Sequence, residues 1–513
     1  MKSRIRTLLT VLAISALALP IQTHGQENGK KHHHYKLVEI GTFGGPSSSS
    51  FFGDAQSLTN REKVVGQADT SVPDPAFPNS NPYLGADPFI QHGFRWEDGT
   101  LTDLGALPGT NSSVVGWIND RGLAVGSSGN SLIDPLTGWP EEVAVLWSQG
   151  EIVNLGTLGG NESQADAIND RGQITGFAAN AVPDSFPSPL NAFLPGFGTQ
   201  QRAFIWENGV MRDIGTLGGP DANALLINKS GQIAGISYTS STPNASGVPT
   251  IHPFLWEDGK MLDVGSLGGT FCSVGCANWL NNRGQVVGSS NLPGDTTAHP
   301  FLWSEAEGMK DLGTLGGTFG FANWVNETGE VAGAATTQGD QALFAFLWED
   351  GTMINLGTVD SDSCSVAINV NSHAQVVGSS VSAENCFISD SGQAFLWEDG
   401  NMLDLNTFVP SGSGLALTQG AFINDSGEIL ATGVLVNGDF RTVLLIPCDD
   451  HHPGVEGCDY DPLNPATLTS RSSSPPISTA ATPTAPRRPL TPRENLAAWR
   501  ARMVHRLGTS SQR

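Results

Sequence analysis

An aromatic-x-Trp motif recurring about every 45 to 60 residues, a short acidic or amide Gly turn after most copies, and 62 Gly and 31 Pro against 15% charged residues together predict an all-β chain. Many short strands joined by turns suit this balance better than helices do. The specific expectation is a β-propeller of about eight four-stranded blades, closed by its N- and C-terminal strands and followed by a disordered C-terminal tail.

The first element read is an export signal over residues 1–25. Lys2, Arg4 and Arg6 precede an apolar run from Leu8 to Leu19, too short to span a bilayer comfortably. Thr23-His24-Gly25 suits cleavage before Gln26, with Ala16-Leu17-Ala18 as a second candidate site. Export predicts a secreted, extracellular protein with no transmembrane segment. The formal charge of −24 is uneven, since eight Arg and one Glu follow residue 464. A strongly acidic body repels phosphates and excludes nucleic acid as a partner.

The repeat domain is placed at 36–447. Its aromatic strands carry Phe94 and Trp96, Trp147, Phe204 and Trp206, Phe254 and Trp256, Phe301 and Trp303, Phe346 and Trp348, and Phe395 and Trp397. Strand alternation puts each Phe and Trp on one face, where the pair fills the space between blades. Turns such as Asp258-Gly259 and Asp350-Gly351 then lead into strands ending Asp263-Val264-Gly265 or Asp311-Leu312-Gly313, which reads as hairpin chemistry. Leu-Gly-Gly follows, as at Leu267-Gly268-Gly269. A third strand ends in an apolar residue plus Asn, at Ile118-Asn119, Ile168-Asn169, Ile227-Asn228, Leu280-Asn281, Val325-Asn326, Ile368-Asn369 and Ile423-Asn424. A fourth resembles Gln285-Val286-Val287-Gly288. Four strands per unit, repeated radially, make a propeller.

The first copy lacks an aromatic-Trp strand, and the last ends in an unpartnered strand, 442–446. Pairing 442–446 with 37–41 completes one composite blade and closes the ring.

These motifs resemble the HAF repeat family of extracellular bacterial proteins. The quoted residues are His92-Gly93-Phe94, His252-Pro253-Phe254 and His299-Pro300-Phe301, with Ala-Phe at Ala203-Phe204, Ala345-Phe346 and Ala394-Phe395. The resemblance covers about four fifths of the chain and implies export and a repeat architecture; it transfers no catalytic residue. Departures at Ala106-Leu107-Pro108-Gly109, Thr358-Val359-Asp360 and Asn406-Thr407-Phe408 predict local irregularity.

The connections that vary most always follow the fourth strand, so in a ring they emerge on one face, where loops on a rigid scaffold bind ligands. Those at 67–91, 127–142 and 178–201 carry Phe77, Tyr83, Phe89, Trp139, Phe186, Phe193 and Phe197. These aromatics are the candidate binding patch for an extracellular polymer or protein, and the alternative is that the loops merely cover apolar surface. A secreted lyase or hydrolase acting on polysaccharide is the competing functional class. No catalytic motif, cofactor motif or metal-ligand spacing is present, so no catalytic residue, cofactor or metal is assigned. His32-His33-His34 and Asp449-Asp450-His451-His452 have suitable donor types, and a closed ring would bring them near each other.

Six Cys in an exported chain predict disulfides. Neighbour pairing gives Cys272 with Cys276, Cys364 with Cys386, and Cys448 with Cys458, the last within a cystine-bounded loop at 448–463. The remainder, 464–513, reads as a Ser/Thr/Pro-rich linker. It ends in a short basic amphipathic segment with Leu496, Trp499, Met503 and Leu507 among Arg500, Arg502 and Arg506, suited to weak contact with an anionic envelope surface.

Overall fold

The computed structural model describes residues 34–459 and 461, apart from 51–55, 80, 82–86, 110, 185, 187–197, 245–246, 273, 361 and 383–391. The proposed signal peptide, Tyr83, Phe193, Phe197, Cys386 and the segment 464–513 lie outside the described residues.

The chain is all-β, and its strands form eight four-stranded antiparallel blades. Blade 2 shows the pattern, with strands Ser113–Ile118, Ala124–Ile133, Pro140–Ser148 and Glu151–Gly156 paired in chain order. A blade therefore begins with the apolar-Asn strand and ends with the strand after the acidic-Gly turn. Blades 1 to 7 open with strands starting at Gly44, Ser113, Gly159, Ala222, Trp279, Gly316 and Cys364. A single parallel bridge, Ala298 to Phe319, also joins blades 5 and 6.

Blade 8 is the composite one. Strands Leu415–Ile423, Ile429–Leu435 and Phe440–Pro447 are completed by Tyr35–Glu39, with Leu37 opposite Leu445 and Val38 opposite Leu444. The two ends of the repeat region thus share one sheet, with Tyr35–Glu39 as its outer strand.

Local chemistry explains each blade. Asp258 and Gly259 both take positive φ, 49° and 81°, as the two-residue turn between twisted strands requires. Phe94, Phe204, Phe254, Phe301, Phe346 and Phe395 are fully buried, while Trp96, Trp147, Trp303 and Trp348 are buried and Trp206, Trp256 and Trp397 half-buried. Opposite each such Phe lies the Gly of the preceding strand, for example Gly333 opposite Phe346. A Cβ on Gly333 would stand 2.1 Å from the Phe321 carbonyl and 2.9 Å from Phe346 Cζ. Only glycine admits both neighbours.

The first strands face the axis. Trp279 stacks between Trp117 and Trp324, with centroids 5.4 and 3.3 Å away, and Phe422 meets Trp324 edge-on at 5.2 Å. Aromatics of blades 2, 5, 6 and 8 therefore meet across the ring and fill its centre.

The asparagines ending the first strands form a chain of hydrogen bonds that runs from blade 2 round to blade 1. Nδ2 of Asn119 donates to the Asn169 carbonyl, Asn169 to Asn228, Asn228 to Asn281, Asn281 to Asn326, Asn326 to Asn371 and Asn371 to Asn424, all at 2.8–3.2 Å. Asn424 donates to the Thr59 carbonyl of blade 1 at 3.0 Å. In blade 7 this place belongs to Val370-Asn371, which corrects the assignment of Ile368-Asn369. The strand there runs on to Val370, and the Asn369 side chain instead accepts the Ile423 N–H.

Asn406-Thr407-Phe408 falls within a 3-10 turn, Leu405–Phe408. Cys272 pairs with Cys276 and Cys448 with Cys458. Cys364 is also disulfide-bonded.

Candidate functional site: the loop face of blades 1 to 3

The connections between second and third strands all leave one face of the ring. Over blades 1 to 3 they touch one another. Asn81 of the first loop donates to the Pro140 carbonyl of blade 2 at 3.1 Å. Asn161 of blade 3 donates to Asp134 of the second loop at 2.7 Å, and a Cβ on Gly198 of the third loop would meet Leu136 at 3.4 Å. Asp134 holds its own loop in shape by accepting from the Leu136 N–H and the Thr137 hydroxyl. The described parts of the three loops lie side by side.

The aromatics on it are only partly displayed. Phe77 is exposed, Phe89 and Trp139 are half-buried, and Phe186 packs against Tyr238 of blade 4 at 6.2 Å. Among the described residues the exposed apolar groups are mostly aliphatic ones that sequence reasoning missed. Val72, Leu132, Ile133, Leu136 and Val182 join Phe77, and Val436 of neighbouring blade 8 is 80% exposed at the same kind of connection. Their signal was an apolar residue at a strand end beside the turn, as in Leu132-Ile133. Exposed apolar side chains gathered at neighbouring connections mark a candidate interaction site.

Between the loops of blades 2 and 3 opens a cleft of about 280 Å³, lined by Asp134, Leu136, Asn161, Glu162, Asn180 and Thr199 among others. Two carboxyls, Asp134 and Glu162, line it, with Glu142 beside Glu162. Glu162 Oε2 accepts the Glu142 backbone N–H at 2.9 Å and the Asn81 amide at 3.4 Å. Glu162 Oε1 and Glu142 Oε2 have no hydrogen-bond partner among the described residues. Burial, with Asp134 and Glu141 adding repulsion, pushes the Glu162 carboxyl up to about 8. Burial likewise raises Glu142 well above the ordinary range, Asp221 to about 7 with help from Asp184, and Asp69 to about 6. Burial thus biases these four carboxyls toward their protonated forms.

The sign of their linkage follows. Free carboxyls release protons near pH 4, whereas Asp69, Asp221 and Glu162 release theirs between about 6 and 8 in the folded state. The folded chain holds more protons in that window, so stability is full below pH 4 and declines as pH rises through it. The melting temperature is expected to be higher at pH 5 than at pH 8.5, and Glu162→Gln should flatten the decline. A melting temperature rising with pH across that window would contradict the assignment.

The His of each His-x-Phe motif is structural. Nδ1 of His92, His252 and His299 lies 2.9–3.0 Å from Asp103, Asp263 and Asp311 on the adjoining outer strand. Arg202 takes the same role toward Asp213. Burial opposes ionisation of the three His-paired aspartates, yet hydrogen bonds from the imidazole and from a following Gly N–H hold them below the usual carboxylate range.

No family model and no curated protein matches the chain. Among solved structures, dipeptidyl peptidase 4 of Porphyromonas gingivalis is similar at TM-score 0.41 and 9% identity over 79% of this chain. The Trypanosoma rangeli sialidase in complex with the inhibitor DANA gives 0.32 and 10% over 80%, and an ulvan lyase 0.26 and 11% over 76% of this chain and 82% of its own. The chain spans 60% and 59% of the peptidase and sialidase chains. The likenesses are loose, and the architecture rests on the strand pairing itself. No helix among the described residues is long and apolar enough to cross a membrane.

Proposed function

We propose that this chain is an exported binding module of the HAF repeat kind, which holds an extracellular polymer or protein on the loop face of blades 8, 1, 2 and 3. One observation carries the reading: seven of the ten large apolar residues exposed among the described ones, from Val72 to Val436, gather at these connections. The formal charge of −24 repels polyanions, and burial biases the Glu162 carboxyl in the cleft toward its neutral form, so the ligand is a neutral or basic chain. Screening the protein against glycan, cell-wall and secreted-protein arrays tests this. A hit is expected to weaken about tenfold or more with Leu136→Asp or Ile133→Asp, as when a central apolar contact is lost. Undiminished binding by both variants would refute the assigned face. Export is tested separately, by a mature N-terminus near Gln26.

A second reading, a polysaccharide lyase or hydrolase, draws on Glu162, a carboxyl of raised pKa lining a cleft, as expected of a general acid. Turnover of an array polymer that Glu162→Gln abolishes would replace the binding reading.

A further inference from the structure

On the opposite face, at the seam where blade 8 meets blade 1, a departure from the repeat at Glu62 brings three side chains together. In the other blades the turn after the Asn latch carries Gly122, Gly172, Gly231, Gly284, Gly329, Ala374 or Gly427, all at positive φ. At most seams this glycine lies over a residue of the preceding blade. Cβ atoms on Gly231, Gly284 and Gly329 would stand 3.0, 3.0 and 3.7 Å from the Oε1 atoms of Gln173, Gln232 and Gln285. Blade 1 has Glu62 at this position, at φ 55°, a conformation that L side chains seldom adopt. Blade 8 has Glu428 where the other partners are mostly glutamine. A carboxylate thus faces a carboxylate.

The cystine-bounded loop completes the group. His452 Nε2 lies 3.3 Å from Glu428 Oε1, and its Nδ1 lies 2.8 Å from Asp449 Oδ1. The His452 side chain is 8% exposed and that of Glu428 1%. One ligand atom from each of Glu62, Glu428 and His452 falls within 4.8 Å of the other two. Among the described residues no lysine or arginine pairs with any of these carboxylates.

We propose that Glu62, Glu428 and His452 bind a divalent transition-metal ion, Zn²⁺ being the best match, which clamps the ring at its closure. One imidazole and two carboxylates are a recognised donor set for Zn²⁺, and the nitrogen disfavours Ca²⁺ and Mg²⁺. Ligand atoms about 2.1 Å from a tetrahedral ion lie about 3.4 Å apart, so the group needs only a side-chain contraction of about 1 Å. Asp449 is a positioning residue. Its hydrogen bond to Nδ1 fixes the tautomer and turns Nε2 toward the carboxylates, as second partners of metal-bound histidines do. The ion joins the blade 1 turn, the blade 8 sheet and the loop after the closing strand. The site is separate from the loop face and independent of what that face binds.

The test uses the mature chain, stripped with EDTA and dialysed against Zn²⁺, Mn²⁺ or Ca²⁺ alone, with bound metal measured by elemental analysis and melting by calorimetry. One equivalent of Zn²⁺ is expected, raising the melting temperature by about 2 to 5 °C at saturation, with Ca²⁺ inert. Glu62→Gly restores the turn of the other blades and should fold, yet lose affinity by roughly 100-fold; His452→Asn should do the same. A variant with His32, His33 and His34 replaced by serine should keep its equivalent. The proposal is overturned if Zn²⁺ leaves the wild-type melt unchanged, if Glu62→Gly and His452→Asn bind as the wild type does, or if binding follows the three N-terminal histidines.

Discussion

Replacing Phe346 with alanine is expected to destabilise the chain by about 3 to 5 kcal/mol, the usual range for a fully buried aromatic in a core that collapses only in part. Phe346 is completely inaccessible, and its ring lies across Gly333 in the neighbouring strand. The void left would open where the carbonyl of Phe321 already approaches that glycine, and backbone on that side cannot move in to fill it. Gly333→Ala should be at least as damaging for the opposite reason, because its Cβ would collide with main chain rather than with a flexible side-chain tip. Denaturant unfolding measures both. A loss below about 1 kcal/mol for either would show that the aromatic is not a wedge between sheets.

Asn281→Ala should cost about 2 to 4 kcal/mol, since it removes several buried hydrogen bonds at once and leaves their partners unsatisfied. Its Oδ1 accepts the N–H groups of Arg283 and Gln285 at 3.0 and 2.9 Å, and its Nδ2 donates to Gln285 and across the seam to the Asn326 carbonyl. One side chain shapes its own turn and fastens the next blade. Blade 1 has Thr59 at this position. Its hydroxyl accepts from Arg61 and Lys63 as the asparagines do, but it offers no amide to donate across the seam to blade 2. Thr59→Asn should therefore stabilise the ring by about 0.5 to 1.5 kcal/mol, the net worth of one added hydrogen bond. Equilibrium unfolding of both variants gives opposite signs if the latch acts as described.

The sequence made the blades legible because their chemistry is local. An aromatic at i and i+2, a glycine turn and an alternating partner strand each leave a mark within ten residues, and repetition separates that mark from accident. The asparagines were visible too, but they read as punctuation, because their acceptor is a carbonyl in another blade. The filled axis was hidden for a related reason. Trp117, Trp279 and Trp324 meet only because their blades face one another across the ring, while Ala167 and Leu226 stand at the matching place elsewhere, so no repeat signal marks the position. The shared face of the long loops was legible from their constant place in the unit, yet among the described residues its exposed groups are aliphatic strand ends more than loop aromatics. Glu62 was legible in principle, as the one acidic side chain where aligned units carry Gly or Ala. Only closure of the ring, which sets it over Glu428 and beneath His452, gives that departure a meaning.

That closure is tested most directly by amide hydrogen exchange of the strand Tyr35–Glu39 in the intact chain. If it is the outer strand of blade 8, its amides facing Val443, Leu444 and Leu445 exchange as slowly as those of the other outer strands, and cutting the chain back before Phe440 releases them to rapid exchange. Rapid exchange of 35–39 in the uncut protein, or protection that survives the truncation, would mean that the two ends do not share a sheet.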